Sequence, residues 1–295
     1  SPATKPNLFS GVLHSVKGAK GRLSISKEDD ARGYEAELKD AAYAVSNVRK
    51  REVRQRPTAP FTTSTLQQEA GRKLRRTPRQ TMSVAQELYE GLTVGGGESV
   101  GLITYMRTDS VQVATSAISE TRGYITEAYG KDYVPDKPRV FTTKAKSAQE
   151  AHEAIRPTSI RRTPDSVKAY LSRPQLNLYE LIWKRMVASQ MADARTEATT
   201  VDIDATCKGT SKVYMFRSTG SVLKFPGFRA VYMESLDEEE TDDGRQSLPV
   251  LEAGDGLGCR KLEALQHFTQ PPPRYTEATL IKAMEEKGIG RPSTY

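Results

Sequence analysis

The sequence has 295 residues, and its 44 Lys and Arg outnumber its 37 Asp and Glu, which gives a formal net charge of +7. At about 150 residues per domain, this length predicts about two domains. No stretch approaches the ~18 uninterrupted apolar residues of a membrane-spanning helix, and residues 1–10 lack the apolar core of a secretory signal. We therefore expect no membrane span, and the positive charge favours an anionic partner, nucleic acid first.

Cysteine is scarce in this sequence. Cys207 and Cys259 are its only cysteines, and neither belongs to a CxxC pair. This composition offers no disulfide framework and no zinc ligand cluster, and it fits a reducing cytoplasm. Because there is no initial Met, we also expect the sequence to be a piece of a longer protein.

The first 60 residues show the pattern of short strands and turns. Tyr34, Ala36 and Leu38 alternate with more polar residues, which is the period of a half-buried strand. Residues 1–28 carry no motif that we can assign. Lys and Arg are concentrated at residues 49–56 and 72–79, and either cluster is a solvated surface or a phosphate-binding one.

From residue 64 to about residue 190 the helical period dominates. Ser64, with Gln67 three places later, forms a capping-box signal that opens the first helix. Ser172 before Pro174 opens the third. The second helix is predicted from an apolar stripe that we expect in the core, and the glycines at 95–97 are expected to end this helix. The stripe comprises Met82, Ala85, Leu88, Tyr89 and Leu92.

Strand patterns return after residue 190. Apolar residues at 201, 203 and 205 alternate with Asp202 and Asp204, which predicts a strand with both carboxylates facing solvent. Further strands are predicted at residues 213–216, 223–225 and 228–233. Acidic residues at 237–243 are expected to form a solvated loop or hairpin tip. This order predicts an α+β protein in which a mainly helical domain is inserted between two parts of a β-rich domain.

The C-terminal residues predict one more helix and then a glycine-containing segment. The helix is expected to begin at Thr276 and to end at Gly288. In the segment after it, Arg291, Ser293 and Thr294 could contact phosphate oxygens, because the glycines allow close backbone approach. The segment lacks the Lys of a P-loop and follows a helix, so we do not expect nucleotide binding.

Residues 100–110 carry the first candidate chemistry, because an apolar run leads there into Tyr105 and then Arg107. Side chains alternate along a strand, so both would project to the same face if the segment is extended. A phenol attacks poorly when protonated, and a nearby guanidinium favours the phenolate and binds a phosphodiester. This pair could attack a DNA phosphate to form a phosphotyrosine, although a Tyr at the end of a strand can equally be a packing residue.

Residues 149–158 carry the second candidate site. His152 and Arg156 are four residues apart, so one helical turn would place both on one face. Imidazolium and guanidinium together can bind an anion, and His also transfers protons near neutral pH. A surface ion pair of His with the neighbouring Glu residues is the alternative.

Four segments closely resemble the type IA DNA topoisomerases, in particular their bacterial topoisomerase I branch. They read PFTTSTLQQEA at residues 60–70, ITYMRTDS at 103–110, EAHEAIRPT at 150–158 and PPPRYTEATLIKAMEEKGIGRPSTY at 271–295. The segments occur in the family's order, and the resemblance covers roughly residues 30–295.

The resemblance implies a role for each matching residue. Tyr105 matches the nucleophile that cuts one DNA strand and holds its 5′ phosphate, Arg107 matches the cation that stabilises that phosphate, and His152 matches a residue that assists the active geometry. Arg156 completes the predicted anion site. Arg291, Ser293 and Thr294 match a segment that lines the family's single-strand groove.

The resemblance also implies a domain arrangement. Residues 29–64 and 191–266 would form a β-rich arch, residues 65–190 the helical Tyr-bearing domain, and residues 267–295 the start of a base domain. The family binds catalytic Mg²⁺ with an acidic motif in an N-terminal domain that has no counterpart here. We therefore expect no cofactor in this fragment, and we expect the fragment alone to be inactive.

The implied activity of the parent protein is relaxation of negatively supercoiled DNA by transient single-strand cleavage through a 5′-phosphotyrosine. Its expected partners are single-stranded and negatively supercoiled DNA, and it is expected to be a monomer in the bacterial cytoplasm, at the nucleoid. The alternative is a non-catalytic clamp module that only binds single strands. In that case Tyr105 would be a packing residue, and binding would depend steeply on salt.

Overall fold

The computed structural model describes residues 8–95, 97–142, 152–234 and 246–294. The predicted acidic loop at residues 237–243 lies outside them. The chain divides into two compact units, each with its own hydrophobic core. Unit 1 comprises Ser1–Arg54, Arg195–Phe225 and Glu240–Pro272, and unit 2 comprises Gln55–Ala194, Pro226–Glu239 and Pro273–Tyr295. Among the described residues, no helix is long and apolar enough to cross a membrane.

The chain contains both helices and strands, grouped in separate stretches. In order, the described elements are β1 (Val12–Val16), α1 (Glu28–Leu38), β2 (Ala42–Gln55), α2 (Thr63–Leu74), α3 (Pro78–Glu90), β3 (Leu92–Thr93), β4 (Ser99–Val100), α4 (Thr115–Tyr129), α5 (Pro164–Val167), α6 (Arg173–Ser189), β5 (Ala194–Thr206), β6 (Val213–Phe225), β7 (Gly256–Leu257) and α7 (Glu277–Glu286). Short 3-10 helices occur at Lys131–Tyr133 and Gly227–Ala230. A mainly helical segment thus separates two β-rich ones, which confirms the predicted α+β fold class.

Unit 1 is built on a five-stranded sheet with the strand order β1-β6-β5-β2-β7. β5 and β6 pair antiparallel along most of their length, from Thr196 opposite Leu223 to Thr206 opposite Val213. Val201 and Ala205 are fully buried in β5, so the alternating pattern correctly predicted this strand. β1 pairs antiparallel with β6, which places part of the unassigned N-terminal stretch in this sheet.

The prediction of a strand around residues 34–38 is wrong, because these residues belong to α1. Tyr34 and Leu38 are four residues apart, so they lie on the same side of the helix. Leu38 is buried, and the ring of Tyr34 lies edge-on to that of Tyr214, with 5.7 Å between centroids. The first turn of α1 is acidic and begins with Glu28, which favours a helix N-terminus. Long-range packing on Tyr214 therefore selects the helix over the period-two pattern.

The two aspartates of β5 do not face solvent, contrary to the prediction. Asp202 is 8% exposed and accepts hydrogen bonds from Arg49 at 2.8 Å and Arg217 at 2.7 Å. Asp204 pairs with Lys17 at 2.6 Å. The cations come from β2, β6 and the residue after β1. Buried carboxylates require such compensation, and in this sheet neighbouring strands provide it.

The strand predictions after residue 212 are wrong in part. β6 runs without interruption through both residues 213–216 and residues 223–225, whereas residues 228–233 form a 3-10 helix and a turn. Phe228 and Tyr232, four residues apart, are both buried in the core of unit 2. Helical spacing, rather than strand alternation, is what brings both rings to one core.

In unit 2 the predicted helices are present, with two corrections at their ends. α2 is capped by Thr62, whose hydroxyl forms a capping box with Thr65, rather than by Ser64. α3 ends at Gly91, whose φ of +117° is left-handed, and not at the glycines 95–97. Ser172 caps α6 with Gln175, and α7 has Thr276 as its cap. These last two starts confirm the predictions made from capping signals.

Candidate active site

Tyr105 lies in a segment without regular structure between β4 and α4. Its side chain is 39% exposed, whereas Met106 is 1% and Thr108 2% exposed. Arg107 is exposed. The segment is not the predicted strand, yet the exposure of Tyr105 and Arg107 alternates with burial in the way that an extended backbone imposes.

The first turn of α2 fixes the Tyr105 segment. The hydroxyl of Thr63 donates to the carbonyl oxygen of Met106 at 2.8 Å and accepts from the backbone N–H of Thr108 at 2.9 Å. The backbone N–H of Thr63 donates to the carbonyl oxygen of Thr108 at 2.9 Å. Thr63 is fully buried, so these hydrogen bonds are shielded from water and hold both sides of Arg107.

Residues 152–158 run alongside the Tyr105 segment as extended backbone. The N–H of Thr104 donates to the carbonyl oxygen of Arg156 at 2.9 Å, and Ile103 forms an antiparallel bridge with Pro157. The predicted helix over His152 and Arg156 is therefore wrong. Pro157 disfavours a helical conformation at the residue before it, and the backbone groups pair with the Tyr105 segment instead.

The extended course of this segment brings His152 to Tyr105. Their ring centroids are 5.8 Å apart with an interplanar angle of 59°. His152 is half-buried. Two residues that the sequence analysis assigned to one reaction, 47 positions apart, are thus neighbours in the fold.

Arg156 takes a different position from the one predicted. Its guanidinium lies 2.6 Å from the carboxylate of Glu153 and donates to the carbonyl oxygen of Pro157 at 2.9 Å. Glu153 also accepts the backbone N–H of Ala114 at 3.0 Å. The side chain of Arg156 is only 12% exposed. In this arrangement its guanidinium is held within residues 153–157, and Glu153 joins this segment to Ala114, so the guanidinium does not face an open surface.

A cavity of about 850 Å³ adjoins Arg107. The N-termini of α3 and α7 open onto it, since Thr77, Pro78 and Glu277 line its wall together with Arg79 and Ser293. Helix N-termini and guanidinium groups both favour anions, whereas Glu277 opposes them. The structure therefore brings the predicted Arg107 and Ser293 to one cavity.

The other predicted residues of the C-terminal segment form a turn. The hydroxyl of Thr294 accepts from the backbone N–H of Arg291 at 2.8 Å and donates to its carbonyl oxygen at 3.0 Å. Both residues are exposed. Thr294 therefore uses its hydroxyl to shape the turn that presents Ser293.

Sequence reasoning missed Tyr89, which it placed in the core. Tyr89 lies in the last turn of α3 and is 40% exposed, and its ring meets Tyr105 edge-to-face with centroids 5.4 Å apart and planes at 66°. Its position in the apolar stripe of α3 gave no signal of this contact. Tyr105 thus lies between the rings of Tyr89 and His152.

The described residues do not fit a metal site. Across residues 8–95, 97–142, 152–234 and 246–294, no group of three His, Cys, Asp or Glu side chains is placed to hold a metal ion. Asp202 and Asp204, which superficially look like an Asp-x-Asp motif, are engaged by Arg and Lys.

The chain combines a β-rich unit with a mainly helical unit, which carries the exposed Tyr105 next to the ring of His152. A family model described as DNA topoisomerase matches residues 7–295. The chain belongs to this family.

Curated relatives and solved structures agree with this assignment. DNA topoisomerase 1 of Xylella fastidiosa is 50% identical over 293 residues, which are 97% of this chain and 35% of that protein. DNA topoisomerase 1 of Rickettsia felis is 45% identical over 98% of this chain and 36% of that protein. Full-length topoisomerase I of Thermotoga maritima superimposes with a TM-score of 0.73 at 34% identity, covering 98% of this chain and 44% of that one. The chain thus spans about a third of the length of these curated relatives.

Proposed function

We propose that the full-length protein containing these residues relaxes negatively supercoiled DNA by transient cleavage of one strand. The observation that carries this proposal is the exposed phenol of Tyr105, on a backbone segment fixed by buried hydrogen bonds and next to the ring of His152. A packing tyrosine would bury its ring, whereas here the neighbours Met106 and Thr108 are buried and the phenol is open.

The proposed reaction is a reversible exchange of one phosphodiester for another. The oxygen of Tyr105 attacks phosphorus, a bond forms between the phenolic oxygen and the 5′ phosphate, and the bond from phosphorus to the 3′ oxygen breaks. The phenol loses its proton, and the departing 3′ oxygen gains one. Resealing is the reverse step, and because the phosphodiester energy is kept in the phosphotyrosine, no nucleotide is consumed.

Arg107 and the cavity beside it would hold the strand. The guanidinium of Arg107 can neutralise the charge on the attacked phosphate. Arg79, Ser293 and the N-termini of α3 and α7 can bind neighbouring backbone phosphates. We propose that the chain, as a monomer, contributes this surface and the nucleophile. By itself, the 295-residue chain is proposed not to cleave DNA, because the family resemblance assigns the metal-binding carboxylates to residues outside it.

The experiment compares the full-length protein with its Tyr105→Phe variant. We expect the variant to lose plasmid relaxation by at least about a thousandfold, because the nucleophile is gone. Its affinity for a single-stranded oligonucleotide should stay within about twofold. Unchanged relaxation would refute the proposal and favour the non-catalytic clamp.

A further inference from the structure

We propose that Tyr89 is a positioning residue that orients the phenol of Tyr105 for attack. This inference rests on the proposed function, because it concerns the geometry of the same nucleophile. Tyr89 acts through Tyr105 and need not touch the reacting phosphate.

The contact between the two rings has the geometry that aromatic pairs favour. Their centroids are 5.4 Å apart and their planes meet at 66°, which is an edge-to-face arrangement. The positive edge of one ring then faces the negative face of the other, so the pair has a preferred orientation in addition to simple contact.

Backbone contacts beneath the rings fix this pair in place. The N–H of Leu102 donates to the carbonyl oxygen of Leu88 at 2.7 Å, which ties the Tyr105 segment to the last turn of α3. A Cβ atom at Gly101 would lie only 2.7 Å from the carbonyl oxygen of Tyr89. The two backbone segments therefore approach as closely as a glycine allows, four residues before the nucleophile Tyr105.

The exposed phenol of Tyr105 needs a neighbouring side chain to restrict its orientation. Within the described part of the chain its hydroxyl forms no hydrogen bond, and its contacts with other aromatic rings are those with Tyr89 and His152. A half-exposed side chain without such contacts samples several staggered rotamers. Removing the Tyr89 ring should therefore lower the fraction of Tyr105 that points at the phosphate.

The expected effect is on the rate of attack and not on DNA binding. Misplacement of a reacting group lowers the rate even when the substrate is fully bound. Tyr89→Phe keeps the ring and should behave as wild type. Tyr89→Leu keeps an apolar side chain without the ring and should be as slow as Tyr89→Ala.

The test uses the full-length protein and a single-stranded oligonucleotide at saturating concentration, with single-turnover formation of the covalent adduct as the readout. We expect Tyr89→Ala and Tyr89→Leu to slow adduct formation about tenfold, while the dissociation constant of the oligonucleotide changes by less than about twofold. Tyr170→Ala is the matched control, since Tyr170 is 50% exposed and shows no ring contact with Tyr105 in the described residues. This control should keep the wild-type rate.

Three outcomes would overturn the inference. The first is a wild-type rate of adduct formation in Tyr89→Ala. The second is a weakened oligonucleotide affinity with a wild-type rate at saturation, which would make Tyr89 a base-stacking residue. The third is a defect in Tyr89→Phe equal to that in Tyr89→Ala. Thermal melting of each variant separates misfolding from misplacement. Tyr105→Phe is run in parallel, because adduct formation by that variant would reject the proposed function itself, whatever Tyr89 does.

Discussion

Gly101 shows how one residue without a side chain permits the arrangement around Tyr105. Its φ is not in the left-handed region, so the requirement for glycine comes from space and not from backbone conformation. The carbonyl oxygen of Tyr89 occupies the position next to where a side chain would begin. That oxygen belongs to backbone at the end of a helix and cannot move away as a flexible side chain could.

We expect Gly101→Ala to lower the free energy of unfolding by about 1–3 kcal/mol, because the added methyl group forces the two backbones apart. Chemical denaturation measures this. Gly123→Ala in α4 is the matched control, because its nearest neighbour would be a side-chain nitrogen of Arg161 at 3.9 Å. This helical substitution should stabilise by about 0.4–1 kcal/mol. Equal stability of the two variants would contradict the close approach.

Arg156 is a cationic residue whose contacts in the fold are structural. Its guanidinium is nearly buried on Glu153 and on the carbonyl oxygen of Pro157. We expect Arg156→Gln to lower the free energy of unfolding by about 1.5–3 kcal/mol, since hydrogen bonds to charged groups are lost in a shielded place. Denaturant titration at neutral pH is the measurement.

The control for Arg156 is another Arg–Glu pair in the same unit. Arg161 pairs with Glu127, and both side chains are more than half exposed. Arg161→Gln should therefore change stability by no more than about 1 kcal/mol. A similar small effect at Arg156 would mean that its guanidinium is free for another partner.

At the scale of elements, α2 organises the site through the hydroxyl of Thr63. This hydroxyl donates a hydrogen bond to one carbonyl group and accepts one from an N–H group, both in a segment 43–45 residues further along the chain. A helix N-terminus usually satisfies its own free N–H groups with a cap, which Thr62 does here. Thr63 is left to bind the Tyr105 segment.

We expect Thr63→Val to lower the free energy of unfolding by about 1–3 kcal/mol, because the shape is kept while buried backbone groups of Met106 and Thr108 lose their partner. Hydrogen exchange at the Thr108 amide should accelerate in parallel. Thr115→Val, at an exposed position in the first turn of α4, is the control and should be nearly neutral. Unchanged protection of Thr108 would refute the role of the hydroxyl.

At the scale of the whole molecule, buried phenols link stability to alkaline pH. Burial, together with the neighbouring thiol of Cys259, raises the pKa of Tyr43 to about 12. Burial also raises the pKa values of Tyr179 and Tyr232, and for Tyr214 burial acts together with its hydrogen bond to Glu37. In the unfolded chain these phenols ionise near pH 10.

Above about pH 10 the folded state therefore binds more protons than the unfolded state, and we expect the free energy of unfolding to fall as pH rises from about 10 towards about 12. Denaturant titrations across this range, with tyrosinate absorbance of the native protein, measure it. Burial lowers the pKa of Lys73, so this one amine raises the free energy of unfolding as pH rises towards about 10.4. Its effect is opposed by that of the four phenols. Native phenols that all ionise near pH 10 would contradict the prediction.

The sequence by itself determined the family, the helix starts at Ser172 and Thr276, and the placement of Tyr105 and Arg107 on the same side of their segment. These features depend on residues a few positions apart, whose side chains cap a helix or alternate along the backbone. The family follows from four motifs that occur in the family's order along the chain, so its recognition did not need coordinates.

Only the tertiary structure decided the helix at Tyr34, the extended course of residues 152–158 and the contact of Tyr89 with Tyr105. In each case the partner is distant in the chain: Arg156 and Thr104, whose backbones pair, are 52 positions apart. Local periodicity contains no information about such partners. Buried backbone groups must nevertheless find them, and that requirement overrides the local pattern.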